Sequence, residues 1–243
     1  MLNKEDVFIP FSTDDLSEGP WLIFSPHADD ETYGMGGTLI QAASNGIEIH
    51  LVVLTDGALG GSDSDLVAVR EEEVKRIALV LGVATLDCWK EPDRSLRLDT
   101  ALVARVLNKI KDIAPAAVFF PGPMEPHPDH RNTALLVWSA LQNLAVVERP
   151  IAYSYEISVQ NPINVLVDTS KQRQEKSNLM RVYSSQNSQN NYEDLVRALD
   201  KGRTFSLPNE IDCAEGFYRY SEKQLESSLA ETLACLIDRY LRH

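Results

Sequence analysis

Two short stretches of this 243-residue chain gather the side chains that bind metals and move protons. They are Ser25-Pro26-His27-Ala28-Asp29-Asp30-Glu31 and Glu125-Pro126-His127-Pro128-Asp129-His130, which together hold three of the five histidines. Neutral imidazole mixed with carboxylate suits a divalent cation such as zinc. His27 and Asp30 are three residues apart, so a single turn can aim both at one ion, with Asp29 between them turned toward a water. With His130 as a third ligand, one position stays open for water and a substrate carbonyl, the arrangement of a catalytic centre. A closed structural zinc site is four-coordinate and usually cysteine-rich. Water beside zinc titrates near 7, and a neighbouring carboxylate can take its proton as it attacks.

The elements around these stretches explain how residues a hundred positions apart can meet. Residues 21–26 form a short apolar run closed by proline, read as a buried strand ending at the first cluster. A helix over 34–45, a strand over 47–54, a helix over 66–81 stopped by Gly82 and a strand over 85–89 follow. Then come a helix over 99–113, a strand over 116–120 that ends at the second cluster, and a helix over 131–144. Beyond Pro150 the pattern gives one or two strands within 151–168, a polar tract at 184–191 and a closing helix over 222–242. The alternation predicts an α/β fold: a Rossmann-like, mostly parallel sheet with helices on both faces, as a single domain over 1–243. Its motif-bearing core covers about 20–150, and the substrate-side elements about 151–243. Such sheets bind ligands beyond the carboxyl ends of their strands, where both clusters fall.

Composition narrows the partners. The formal charge of −13 disfavours nucleic acid and anionic membrane surfaces, both polyanions. Cys88, Cys213 and Cys235 are widely spaced and form no CxxC pair, so they read as incidental thiols. Met1 to Asp6 lacks the pattern of a secretory signal, and no apolar run reaches the roughly 18–20 residues of a membrane span. A cytoplasmic protein without stable membrane insertion is expected; a homo-oligomer is left open.

His27-Ala28-Asp29-Asp30-Glu31 followed by His127-Pro128-Asp129-His130 resembles the paired motifs of the zinc-dependent N-acetylglucosaminyl deacetylase superfamily. This group includes the phosphatidylinositol-glycan and mycothiol-pathway deacetylases and the LmbE-like proteins. Leu54-Thr55-Asp56-Gly57, Arg70, Glu73, Leu81-Gly82, Pro92-Asp93, Lys176, Ser185-Gln186 and Ala214-Glu215-Gly216-Phe217 extend the likeness over about 20–220. The resemblance implies Zn2+ held by His27, Asp30 and His130, with Asp29 as general base. It implies that His127 stabilises the oxyanion or protonates the leaving amine, that Asp129 orients His127, and that Arg70 and Asp93 contact sugar hydroxyls. The substrate implied is a small amino sugar or its conjugate carrying an N-acetyl or similar acyl group. Ala28 replaces the usual proline, and Glu125 stands where some members carry a carbonyl-polarising tyrosine. An imidazolium at His127 beside Asp129 should titrate above a free histidine.

Plainer readings compete at several positions. Arg70 can pair with Glu73 one helical turn on. Glu31 and Asp56 can support a ligand or cap backbone N–H groups, and Lys176 and Glu215 read as structural. His50 and His243 have no acidic company. Gly34-Met35-Gly36-Gly37 fails the dinucleotide spacing at Leu39 and follows an acidic loop, so helix–strand packing explains it better. No G-x-S-x-G elbow exists. Two other classes stand against the deacetylase: a divalent-metal phosphoesterase, and a non-catalytic sugar-binding relative.

Overall fold

The structure, a computed structural model, describes residues 11–13, 16–61, 65–187 and 191–241. The N-terminal hexapeptide, His243 and parts of the 57–65 and 184–191 loops lie outside these residues. Strands β1 (Trp21–Ser25), β2 (Ile49–Thr55), β3 (Thr85–Glu91), β4 (Ala117–Pro121), β5 (Ile151–Tyr155), β6 (Val165–Asp168) and β7 (Ala214–Arg219) join one sheet in the order β3-β2-β1-β4-β5-β7-β6. The first five are parallel; β7 runs antiparallel to both β5 and β6.

Helices α1 (Asp30–Ser44), α2 (Leu66–Leu81), α3 (Thr100–Ile113) and α4 (Pro128–Gln142) follow the first four strands. The central strands are buried on both sides, so their residues sort alternately into two cores. Trp21 and Ile23 pack with Leu39 and Ile40 of α1 and Ile77 of α2. Leu22 and Phe24 pack with Val106 of α3 and Leu136 and Val137 of α4. Helices α1 and α4 therefore leave the adjacent strands β1 and β4 toward opposite faces. The later helices are α5 (Arg173–Val182), α6 (Ser184–Asn187), α7 (Tyr192–Gly202), α8 (Glu222–Leu225) and α9 (Leu229–Leu241).

Close packing accounts for the glycines of α1. A Cβ at Gly34 would run into the Glu156 carbonyl and the Tyr155 ring, and one at Gly37 into Thr169. Beside Gly37, Glu215 accepts from the N–H groups of Gly37 and Thr38, each at 2.8 Å, and pairs with buried Lys176 at 2.7 Å. Lys176 reaches Asp200 of α7 at the same distance. The closing helix expected over 222–242 is instead two, because Ser221 and Gln224 form a capping box on the short α8 before α9 begins. Among the described residues, no helix is long and apolar enough to cross a membrane.

Candidate active site

Both acid-rich motifs turn out to be the entries of helices. Asp29 is the N-cap of α1 and His127 the N-cap of α4, with Pro128 at the first helical position. Asp30 and Glu31 thus sit in the first turn of α1, where the helix dipole favours negative charge. Asp29 holds a φ of 142°, a conformation that side-chain-bearing residues seldom adopt. It lines a cavity of about 160 Å³ together with His27, Asp30, Arg70, Asp93, His127 and His130.

The donor atoms converge. Asp30 Oδ2 lies 3.0 Å from His27 Nδ1 and 3.2 Å from His130 Nε2. Donors about 2.1 Å from a tetrahedral cation stand about 3.4 Å from each other, so each of these two distances is near that of donors sharing one ion. Ring nitrogens of His27, His127 and His130 also lie within 4.8 Å of one another, and His27, Asp93 and Asp129 make a second such group. In that second group Asp93 and Asp129 approach His27 Nε2 at 3.3 and 3.4 Å, the edge of the ring away from Asp30. Their carboxylates already serve the backbone: Asp93 accepts from Leu59 N, and Asp129 from Arg94 N and Leu96 N. Asp30 Oδ2 likewise accepts from His27 N, at 3.0 Å, and the set centred on Asp30 differs in offering two imidazoles.

Burial opposes charge on both histidines, yet the carboxylates prevail. Asp129, Asp30 and Asp93 hold His27 well above its ordinary value, and Asp30 lifts His130 to about 9. Burial would raise Asp30, but His130 and His27 pull it well below the usual range, and His27 brings Asp93 to about 2. Asp29 is pushed far up by burial and by the adjacent Asp30 charge.

His127 departs from expectation. Burial, then His27 and His130, lowers its pKa, so it does not titrate above a free histidine. The Asp129 carboxylate turns toward His27 and the 94–96 backbone, while its backbone N–H donates to His127 Nδ1 at 3.2 Å. Asp129 therefore touches the His127 ring through its main chain. Arg70 is buried in α2 and does not pair with Glu73, which accepts from Ser184 Oγ, Ser185 N and Ser185 Oγ. Gly57 and Gly60 instead leave room for its guanidinium. Asp56 caps Ala58 N and Asp93 N. Buried Glu31 accepts from Ser25, Thr32 and Tyr183 hydroxyls at 3.1, 2.7 and 2.5 Å. His50 is buried, with Glu48 at 3.1 Å from Nε2, so it does have acidic company. Sequence reasoning missed Tyr33, Ile157, Ser158 and Tyr192 of the cavity wall. Tyr33 lies one turn beyond Asp30 on α1, whereas the other three come from segments distant in sequence from both motifs.

Residues 22–141 match the family described as PIG-L: GlcNAc-PI de-N-acetylase. Over this stretch the chain is similar to the LmbE/PIG-L superfamily. A probable N-acetyl-alpha-D-glucosaminyl L-malate deacetylase 2 of Bacillus anthracis is 32% identical over 145 residues, 55% of this chain and 64% of the relative. The diacetylchitobiose deacetylase of Thermococcus kodakarensis is 33% identical over 123 residues, 47% of this chain and 46% of the relative. The aligned stretches thus span less than two thirds of either relative. Among solved structures, the N,N'-diacetylchitobiose deacetylase of Pyrococcus horikoshii superposes with a TM-score of 0.71 at 26% identity, over 82% of this chain and 83% of the other. The PIG-L match takes in both histidine motifs and ends within α4.

Proposed function

We propose that this chain is a zinc-dependent hydrolase of the PIG-L superfamily that removes an N-acetyl or similar small acyl group from an amino sugar or its conjugate. The observation that carries the reading is the convergence of Asp30 Oδ2, His27 Nδ1 and His130 Nε2 beside Asp29 in one cavity. A divalent cation held by His27, Asp30 and His130 supplies Lewis acidity to an amide carbonyl and acidity to a water. Asp29 takes the water's proton; its elevated pKa lets it keep that proton until the departing amine nitrogen accepts it. His127 accepts at Nδ1 from the Asp129 N–H, so its neutral ring carries the proton on Nε2, ready to donate to the oxygen gaining charge. Arg70 and Asp93 bind sugar hydroxyls at the wall. Sites that engulf a whole ligand measure roughly 300–1,000 Å³; this one, at about 160 Å³, suits a small acyl group and the sugar hydroxyls beside it, with the rest of the conjugate outside.

Acetate release from a panel of N-acetylated amino sugars and conjugates, run with zinc-loaded and chelator-stripped protein, tests the reading. Zinc-dependent acetate release is expected, with one zinc per chain. The acid group on the far edge of His27 favours a second reading, a two-metal phosphoesterase. Two metals per chain with phosphate release and no acetate would overturn the deacetylase.

A further inference from the structure

Glu125 is buried completely, yet no step proposed above uses it. Its Oε1 accepts from Ile157 N at 2.9 Å and Asn161 Nδ2 at 3.1 Å; its Oε2 accepts from Ser158 N at 3.0 Å. The same Oε2 stands 3.6 Å from His130 Nδ1. That nitrogen is buried and has no hydrogen-bond partner. The opposite nitrogen of the ring, Nε2, faces Asp30. A ring that presents Nε2 as a lone pair must carry its proton on Nδ1, and the buried carboxylate is the acceptor within closest reach.

We infer that Glu125 is a positioning residue: it fixes the Nδ1-protonated tautomer of His130 and so aims Nε2 into the metal site. This rests on the reading of His130 as a metal ligand. Carboxylates behind ligating histidines commonly set ring orientation in this way, and their loss costs about 10–100-fold in metal affinity. The same carboxylate also ties down residues 157–161, whose Ile157 and Ser158 form part of the cavity wall. One side chain therefore places a ligand and the wall across from it in a common frame.

Glu125→Gln keeps an acceptor for Ile157 N and Asn161 Nδ2 but puts an amide N–H₂ where His130 Nδ1 and Ser158 N need an acceptor. Asn161→Ala loosens the loop's hold on Oε1 and leaves Oε2 in place, so it serves as the structural control. Zinc affinity of each full-length protein is measured by competition with a chromophoric chelator, alongside thermal unfolding of the metal-free forms. Glu125→Gln should bind zinc about 10–100-fold more weakly, whereas Asn161→Ala should stay within about threefold of the parent at comparable thermal loss. Equal affinity in Glu125→Gln and parent, or an equal drop in Asn161→Ala, would overturn the inference. Long-range ¹H–¹⁵N spectra of the zinc-loaded parent need no variant: His130 should show a protonated Nδ1 and a metal-bound Nε2. A metal-bound Nδ1 would refute the inference even if Glu125→Gln failed to fold. A parent that binds no zinc would instead defeat the metal-site reading itself, and this inference with it.

Discussion

Loading the metal-free protein with zinc should release at least two protons at about pH 7. Both proposed histidine ligands hold protons in the metal-free cluster. His130 stays ionised up to about 9, and His27 is held well above its ordinary value by three carboxylates that outweigh burial. Ligation requires neutral rings, so each bound cation displaces both protons. Asp29, whose carboxyl is likewise raised, can only add to the count. As pH rises the competing protons leave and zinc binds more tightly. With two protons displaced, affinity grows about 100-fold per pH unit, roughly 2.7 kcal/mol. The slope flattens as pH passes the His130 value of about 9. Calorimetric titration in two buffers of different protonation enthalpy counts the protons, and chelator competition at several pH values measures the slope. Release of one proton or fewer near pH 7 would refute the reasoning, because one of the two rings would then already be neutral or would not bind the metal.

Asp29→Asn should keep zinc yet lose about 10²–10⁴ in kcat, since an amide cannot take water's proton; steady-state assays with metal analysis check it, and a loss under threefold would assign the base elsewhere. His127→Ala should lower kcat by about 10²–10³. Because the His127 pKa is lowered, its neutral donor form prevails at about neutral pH. Activity should therefore fall as pH drops through that value, and a parent profile lost instead as pH rises just above 7 would show that the imidazolium is the working form. Glu215→Ala leaves buried Lys176 short of one of its two carboxylate partners. It should destabilise the fold by about 3–5 kcal/mol in denaturant unfolding.

The regular parts of the fold were legible because their signals are local. Helix α2 runs from Leu66 to Leu81 and stops at Gly82 with φ 65°, where a left-handed terminus was expected. Helix α3 starts after Asp99, whose side chain caps Leu102 N. Helices α1 and α4 begin earlier than the apolar period suggested, because Asp29 to Glu31 and His127 to Asp129 read as loop chemistry when they are also first turns. Helices α5 and α7 and the antiparallel β7 were not foreseen. Their polar residues are satisfied across distant segments, Lys176 by Asp200 and Glu215, and Glu215 also by the Gly37 and Thr38 N–H groups, and such contacts leave no local period to read. The candidate ligands were visible as residue types at a spacing. The part played by Glu125 was not, since a glutamate beside a histidine motif looks the same whether it faces solvent or is sealed behind the ring.

The division of the hydrophobic interior into two layers bears on how the metal site would age under mutation. Asp30 opens α1, with His27 in the turn that leads into it, and α1 is bedded in one layer; His130 rides on α4, bedded in the other. A cation joining them would act as a rivet through the sheet, closing a loop of about a hundred residues without a covalent bond. A repacking on either face would shift one helix against the sheet while leaving the other still, and the donors would register the slip before the fold did. Metal affinity in this chain would thus serve as a caliper for the alignment of two cores on opposite faces of the sheet.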